Sequence, residues 1–329
     1  MVISRTPFRV SFFGGGTDYP IWYKENGGAV ISTTINKYCY LSCRFLPPFF
    51  DYNYRVRYYY NELVKDVDDI RHPSVRECIK RLDLEKGLDI VHNADLPAQS
   101  GLGSSSTFTV GLLNALHALD HYMPTKRELA LESINIEQNL LNENVGSQDQ
   151  TAAAFGGLNK ISFGGASEIE VEQIIIHPDR IGELQNNLLL FFTGFTRNAD
   201  SIAGEQIKNT RKKTSELNRM MELVDQAKSI LVSKSASIDE FGKLLDEQWK
   251  LKRSLTSKIT NPSIDQIYTL AIKGGALGGK LLGAGSGGFI VFYARKNKQK
   301  SVIEALEHLQ HVPFRFEHNG SQIVYHSHV

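Results

Sequence analysis

The segment that most restricts the fold is Asp95-Leu-Pro-Ala-Gln-Ser-Gly-Leu-Gly-Ser-Ser-Ser-Thr107. A strand-like run, Leu88 to Val91, leads towards it, and an almost wholly apolar helix-like run, Phe108 to Leu119, follows. Two glycines let the backbone approach a ligand closely, and three hydroxyls stand where the helix begins. Backbone N–H groups at a helix N-terminus, with the helix dipole behind them, make an anion site. The segment is a candidate phosphate loop, with an ordinary capped turn as the plain alternative.

Two further glycine-rich stretches lie far away in sequence, Gly14-Gly-Gly16 and Gly283-Ala-Gly-Ser-Gly-Gly288. The last satisfies the dinucleotide pattern G-x-G-x-x-G, but a strand-like run, Phe289 to Tyr293, follows where that fingerprint needs a helix. Gly101 to Ser106 does precede a helix, yet residues 107 to 119 leave no room for the second strand that would carry a ribose-binding acid. No Lys-Ser or Lys-Thr follows the glycines, which removes a Walker loop.

The 329 residues suffice for two domains, and the net charge of +1 gives no pull towards nucleic acid or membrane. Cys39, Cys43 and Cys78 suit a reducing compartment and read as packing residues. Arg5, Pro7 and Arg9 interrupt the N-terminal apolar residues, so a cytoplasmic protein without a signal peptide is expected.

Along the chain, Val2 to Ser4 and Val10 to Phe13 read as strands, as do Ala29 to Ile35 and Tyr38 to Phe45 about a turn at Asn36-Lys37. Pro124 to Asn144 has helical spacing, and Ser201 to Val232 reads as one long helix. Ser237 with Glu240 suggests a capping box, and Asn261-Pro262 opens another helix. A hairpin turning at Asn319-Gly320 ends the pattern. An αβ half, residues 1–190, and a helix-rich half, 191–329, are the expected domains.

The three glycine motifs together resemble the GHMP kinases, the family of galactokinase, homoserine kinase and mevalonate kinase. The carriers are Pro7-Phe-Arg-Val-Ser-Phe-Phe-Gly-Gly-Gly-Thr-Asp18, Pro97-Ala-Gln-Ser-Gly-Leu-Gly-Ser-Ser-Ser106 and Lys280-Leu-Leu-Gly-Ala-Gly-Ser-Gly-Gly288, in family order. The resemblance implies an α+β fold of two domains, a ribosomal protein S5 domain 2-like N-terminal domain and a ferredoxin-like C-terminal one. It also implies ATP and Mg²⁺ as cofactors. Pro97, Gln99, Gly101, Leu102, Gly103, Ser104, Ser105 and Ser106 would hold the nucleotide phosphates, with Ser105 and Glu137 as metal ligands. Asp149 would sit at the acceptor hydroxyl with Arg9 beside it. Gly14, Gly15, Gly16, Thr17 and Asp18 would bind the acceptor, as would Gly283, Gly285, Ser286 and Gly287.

Sugar kinases of the family carry Gly-Glu-His-Thr-Asp-Tyr where this chain has Gly14-Gly-Gly-Thr-Asp-Tyr19, which suggests a bulkier sugar than galactose. The phrase Ser4 to Asp18, with Gly27-Gly-Ala-Val30 and Thr193-Gly-Phe-Thr-Arg197, resembles the branch acting on the anomeric C1 hydroxyl of D-glycero-D-manno-heptose 7-phosphate. That branch feeds nucleotide-activated heptose synthesis. Arg197 is the first candidate for the 7-phosphate, ahead of Arg44, Lys208 and Arg211. The alternatives are a fucose- or galactose-like acceptor, or a sugar-sensing relative without catalysis. The expected partners are ATP and a small sugar phosphate, with no nucleic acid and no membrane; the oligomeric state is open, a homodimer included.

Overall fold

The computed structural model describes the chain except residues 85, 167, 195–198 and 328–329. β1 (Val2–Phe13) passes through α1 (Pro20–Asn26) into β2 (Gly28–Phe45). β3 (Tyr54–Arg57), β4 (Asn61–Val64), α2 (Pro73–Leu82), β5 (Leu88–Ala94) and α3 (Ser104–Leu119) follow. α4 (Lys126–Asn135) runs into a π-helical turn, Ile136–Leu140, before α5 (Gln148–Phe155), β6 (Leu158–Phe163), β7 (Ile169–Gln173) and α6 (Pro178–Asn186). Then come β8 (Leu188–Phe192), α7 (Ala199–Asn209), α8 (Thr214–Val232), α9 (Asp239–Leu255), α10 (Pro262–Gly274), β9 (Gly278–Leu281) and β10 (Phe289–Tyr293). α11 (Lys296–Ala305), β11 (Gln310–His311), β12 (Phe316–Glu317) and β13 (Gln322–His326) finish the chain.

β2 is long enough to serve several partners. Its first half pairs with β6 and its second half with β5, while β1 runs antiparallel along the other edge. Asn36-Lys37 is therefore not a turn. Asn36 donates its N–H to Arg315 O at 2.9 Å and β12 pairs with β2 there, so a segment some 280 residues away supplies the bonds that keep the strand extended. The C-terminal hairpin is corrected likewise, since β12 pairs with β2 and β13 with β1. The first sheet reads β13-β1-β2-β5-β3-β4, with β6, β7 and β12 attached through β2.

α3 covers this sheet with apolar residues on nearly every face, as a fully buried helix must. Gly111 lets it approach β1: a Cβ there would lie 2.7 Å from Thr6 Oγ1, and Ser4 Oγ donates to Gly111 O at 2.7 Å. The second sheet, β11-β8-β10-β9, is antiparallel and packs beneath the helices of the second half. Residue 190 falls inside β8. Phe12 and Phe13 meet Phe241 of α9 edge-on at 5.3 and 5.0 Å, so one core spans both halves.

Three helix expectations also change. The run from Ser201 breaks at Thr210–Lys212, where the Thr210 hydroxyl donates back to Gln206 O at 3.1 Å and competes with the helical ladder. The run from Pro124 becomes α4 plus the π turn. Ser237 does not cap α9 through a box, although Asn261 does cap α10, accepting from Ile264 N at 3.0 Å. All three cysteines are free and buried. No helix among the described residues is long and apolar enough to cross a membrane.

Candidate active site

β1 carries Arg9 on a buried strand and ends in the turn Gly14 to Asp18. A Cβ at Gly14 (φ +80°) would lie 1.8 Å from Ala29 O, so only glycine allows β1 to turn against β2. Thr17 is consumed within this turn, its Oγ1 accepting from Ala29 N at 3.1 Å. Asp18 is 2% exposed and accepts from Gly16 N at 2.8 Å. Burial raises its pKa, and the negative charge of Asp149 raises it further.

The first-turn N–H groups of α3 have no side-chain cap, which leaves them for a ligand. Gly101 (φ +81°) and Gly283 (φ +71°) bring two glycine loops together backbone to backbone: a Cβ at Gly101 would lie 2.5 Å from Leu282 O. Phe289 N donates to Ser100 O at 2.9 Å beside them. Gly101→Ala is therefore expected to cost about 1–3 kcal/mol of stability, read as a lower midpoint in a denaturant melt.

Arg9 joins these pieces. Its Nε and Nη2 donate to Asp149 Oδ1 and Oδ2 at 2.7 and 2.6 Å, a bidentate pair. Its Nη1 donates to Gly101 O at 2.7 Å, and its backbone N–H to Leu102 O at 3.2 Å. The helix N-terminus stands next to the pair, because a Cβ at Gly103 would lie 3.3 Å from Asp149 Oδ2.

Glu137 occupies the π turn and is fully buried. Ser106 Oγ donates to its Oε2 at 2.7 Å and Gln150 Nε2 donates to the same oxygen, while Oε1 has no partner among the described residues. Burial pushes the carboxyl up to about 7. The serine touching Glu137 is thus Ser106; Ser105 is exposed at the cavity.

The resulting cavity, of about 190 Å³, gathers Arg9, Gly15, Gly16, Asp18, Gln99, Gly101, Gly103, Ser104, Ser105, Ser106, Asp149 and Gly283. A larger, more open groove of about 790 Å³ adjoins it through Tyr19, Asn144 and Val145 but holds neither Arg9 nor either aspartate. Gly14, Thr17, Pro97, Leu102, Gly285, Ser286, Gly287 and Glu137 do not line the smaller cavity. Ser286 is turned away, its Oγ donating to Lys258 O and its N–H to Ile259 O. Arg44 binds Asp89 at 2.9 Å on the first sheet and is also absent from the lining. Arg197 lies outside the described residues. Lys208 and Arg211 sit on α7 and the turn after it, with Arg211 3.9 Å from Glu25, and neither lines the cavity.

Among the cavity residues that the sequence does not single out for the site are Gln206, Lys252 and Lys280. Gln206 of α7 fills the room left by Gly16, where a Cβ would lie 2.6 Å from its Nε2. Loss of a side chain at 16 therefore does not simply enlarge the pocket there. Lys252 and Lys280 are 5% and 2% exposed and also line it. A signal for Lys252 exists: it falls on the buried stripe Phe241, Leu245, Gln248, Lys252, Leu255 of α9, where a surface lysine has no place.

The known proteins agree with this architecture. The GHMP kinases N terminal domain matches residues 72–157, and the GHMP kinases C terminal domain matches residues 220–311. The D-glycero-alpha-D-manno-heptose 7-phosphate kinase of Campylobacter jejuni is 31% identical over 322 residues, covering 92% of each chain. A galactokinase of Pyrococcus furiosus is 26% identical over 239 residues, covering 64% of this chain and 66% of its own. A crystal structure of a D-glycero-D-manno-heptose 1-phosphate kinase from Bacteroides thetaiotaomicron superposes over the whole of both chains with TM-score 0.81 at 23% identity. Lactococcus lactis galactokinase, complexed with galactose, superposes with TM-score 0.76 at 18% identity over 98% of this chain and 94% of that one. With matched family domains in both halves and a relative at 31% identity along nearly its whole length, the chain belongs to the GHMP kinases and is an ATP-dependent phosphotransferase with an alcohol group as acceptor.

Proposed function

We propose that the enzyme transfers the γ-phosphoryl group of ATP to the anomeric C1 hydroxyl of D-glycero-D-manno-heptose 7-phosphate, giving the 1,7-bisphosphate. The observation that carries this reading is the 31% identity to the Campylobacter heptose 7-phosphate kinase across 92% of both chains. Residues 1–190 are taken as the nucleotide-binding domain and 191–329 as the C-terminal domain, apart from the start of β8, which belongs to the second sheet, and the two terminal strands lent to the first.

In this mechanism the N–H groups at the start of α3 hold the ATP phosphates. The Asp18 carboxylate and the Gln206 amide face the sugar hydroxyls. Asp149, both of whose oxygens engage Arg9, orients the C1 hydroxyl, and Arg9 balances charge on the group in transit. The C1 oxygen forms a bond to the γ-phosphorus as the bridging oxygen to the β-phosphate departs with ADP. The hydroxyl proton leaves late towards Asp149, as suits a loose transition state.

The residues fit a hard cation. Ser105 offers a hydroxyl at the cavity, and Glu137, its Oε1 unpartnered among the described residues, lies directly behind the cavity-lining Ser106, so its carboxylate would come into reach as the Ser106 hydroxyl turns aside. One carboxylate with a hydroxyl and phosphate oxygens matches the habits of Mg²⁺, and no group of three acidic, histidine or cysteine ligands competes among the described residues. When bound, Mg²⁺ would neutralise phosphate charge; Ser105 and Glu137 would hold it.

A coupled ADP-release assay over heptose 7-phosphate, mannose 6-phosphate, mannose, fucose and galactose tests the reading. The kcat/KM for the heptose phosphate should exceed that of any unphosphorylated sugar by about 100-fold or more, with a second phosphorus resonance in the product. Comparable turnover of a free hexose would sink it.

A further inference from the structure

Lys252 lines the cavity with no counter-ion among the described residues. It lies on α9 with its Nζ donating to the carbonyls of Leu281, at 3.2 Å, and Gly283. Those carbonyls belong to the third glycine loop, whose backbone abuts Gly101, the residue that Arg9 grips from the other side. Arg9 and Lys252 thus hold two touching backbones from opposite halves of the chain. An ammonium has three N–H donors and two are used, so one remains where the side chain meets the cavity. Among the described residues no carboxylate lies within ion-pair distance of it. Burying an unpaired cation is costly unless something else supplies the opposite charge.

We propose that Lys252 is a second cation on the transferring phosphoryl group, acting with Arg9 across the seam between the two glycine loops. The inference rests on the phosphoryl-transfer reading of this cavity but not on which sugar fills it. The anion it awaits is the γ-phosphate, because Lys252 is anchored on the loop that abuts Gly101, beside Arg9, Asp149 and the start of α3. A phosphate on C7 would lie at the far end of the sugar from the reacting hydroxyl. Lys280 is the weaker partner, since its Nζ is already bonded to Phe12 O at 3.1 Å and burial depresses its pKa strongly.

The groups facing Lys252 are Arg9 of β1, Asp18 of the following turn, Asp149 of α5 and Lys280 of β9. Burial first, and then the charge of Arg9, lower its pKa to about 8. The ammonium is therefore present below that pH and lost above it, which predicts an alkaline limb near pH 8 in kcat/KM.

The test uses Lys252→Met and Lys252→Arg in the full chain, assayed with the acceptor that the unmodified enzyme turns over. The methionine variant should lose about 10²–10³-fold in kcat, with KM for ATP within about fivefold of the unmodified enzyme. Arginine, charged at every accessible pH, should recover part of kcat and abolish the alkaline limb. A methionine variant that keeps kcat within about fivefold would overturn the proposal. So would an arginine variant that retains the limb; this measurement decides alone if the methionine variant does not fold. Absent turnover of heptose 7-phosphate, with the same Lys252 effects on another sugar, would instead remove the acceptor assignment and leave this inference standing.

Discussion

Asp149→Asn is expected to lower kcat by about 10²–10⁴-fold while ATP still binds. Asparagine offers one acceptor oxygen where Asp149 presents two to Arg9, at 2.7 and 2.6 Å, and it turns an NH₂ group towards a guanidinium N–H. Arg9, 3% exposed, would keep its charge with half its pairing gone. The acceptor hydroxyl would lose the carboxylate that orients it, whereas the α3 N–H groups that face the nucleotide are untouched. Single-turnover kinetics beside calorimetric titration with a non-hydrolysable ATP analogue separates the two effects. Unchanged turnover would refute the role given to Asp149.

Glu137→Gln should make the protein more stable and less active at once. Burial holds the Glu137 carboxyl at about 7 in the folded chain against an ordinary value of 4.5. Above pH 4.5 the unfolded chain releases this proton first, so folded-state stability falls as pH rises from about 4.5 to 7 and stays lower beyond. Glutamine removes that slope. The gain at pH 8 should reach about 3 kcal/mol at most, by the linkage between pKa and folding, and should vanish near pH 4.5. Urea melts of both proteins at pH 4.5 and 8 measure it. Activity should fall together with Mg²⁺ dependence, because the orphan Oε1 offered to the cation becomes half of a neutral amide. A destabilised glutamine variant at pH 8 would show that the carboxylate is held by more than Ser106 and Gln150.

The glycines were the most legible part of the chain. Gly14, Gly101 and Gly283 stand out because a missing Cβ is visible in the letters themselves, and each lies where a Cβ would meet backbone. What they approach was less legible: Gly101 and Gly283 face each other, and Gly14 faces Ala29. Which of three serines meets Glu137 depends on the π turn that rotates the carboxylate, and helical spacing carries no mark of one extra residue. The continuity of β2 through Asn36-Lys37 depends on Arg315 and Phe316, beyond the reach of any local pattern. Lys252 and Gln206 come from helices of the second half, so their place at the cavity follows from packing between halves.

The pairing of β13 with β1 has a consequence for how the enzyme is made. β1 carries Arg9, and its outer edge is completed by residues 322–326, while Gly320 seats against the carbonyl of Ala154 in the last turn of α5, the helix that carries Asp149. During synthesis the strand that bears Arg9 emerges well before its neighbour, 317 residues ahead when counted from Arg5 to its partner Gln322. Until then the growing chain carries an unzipped β edge, open to other strands or to a chaperone. The Arg9–Asp149 pair is therefore assembled on a scaffold whose β1 edge closes only once residues 322–326 have been made, which ties its completion to synthesis of that strand.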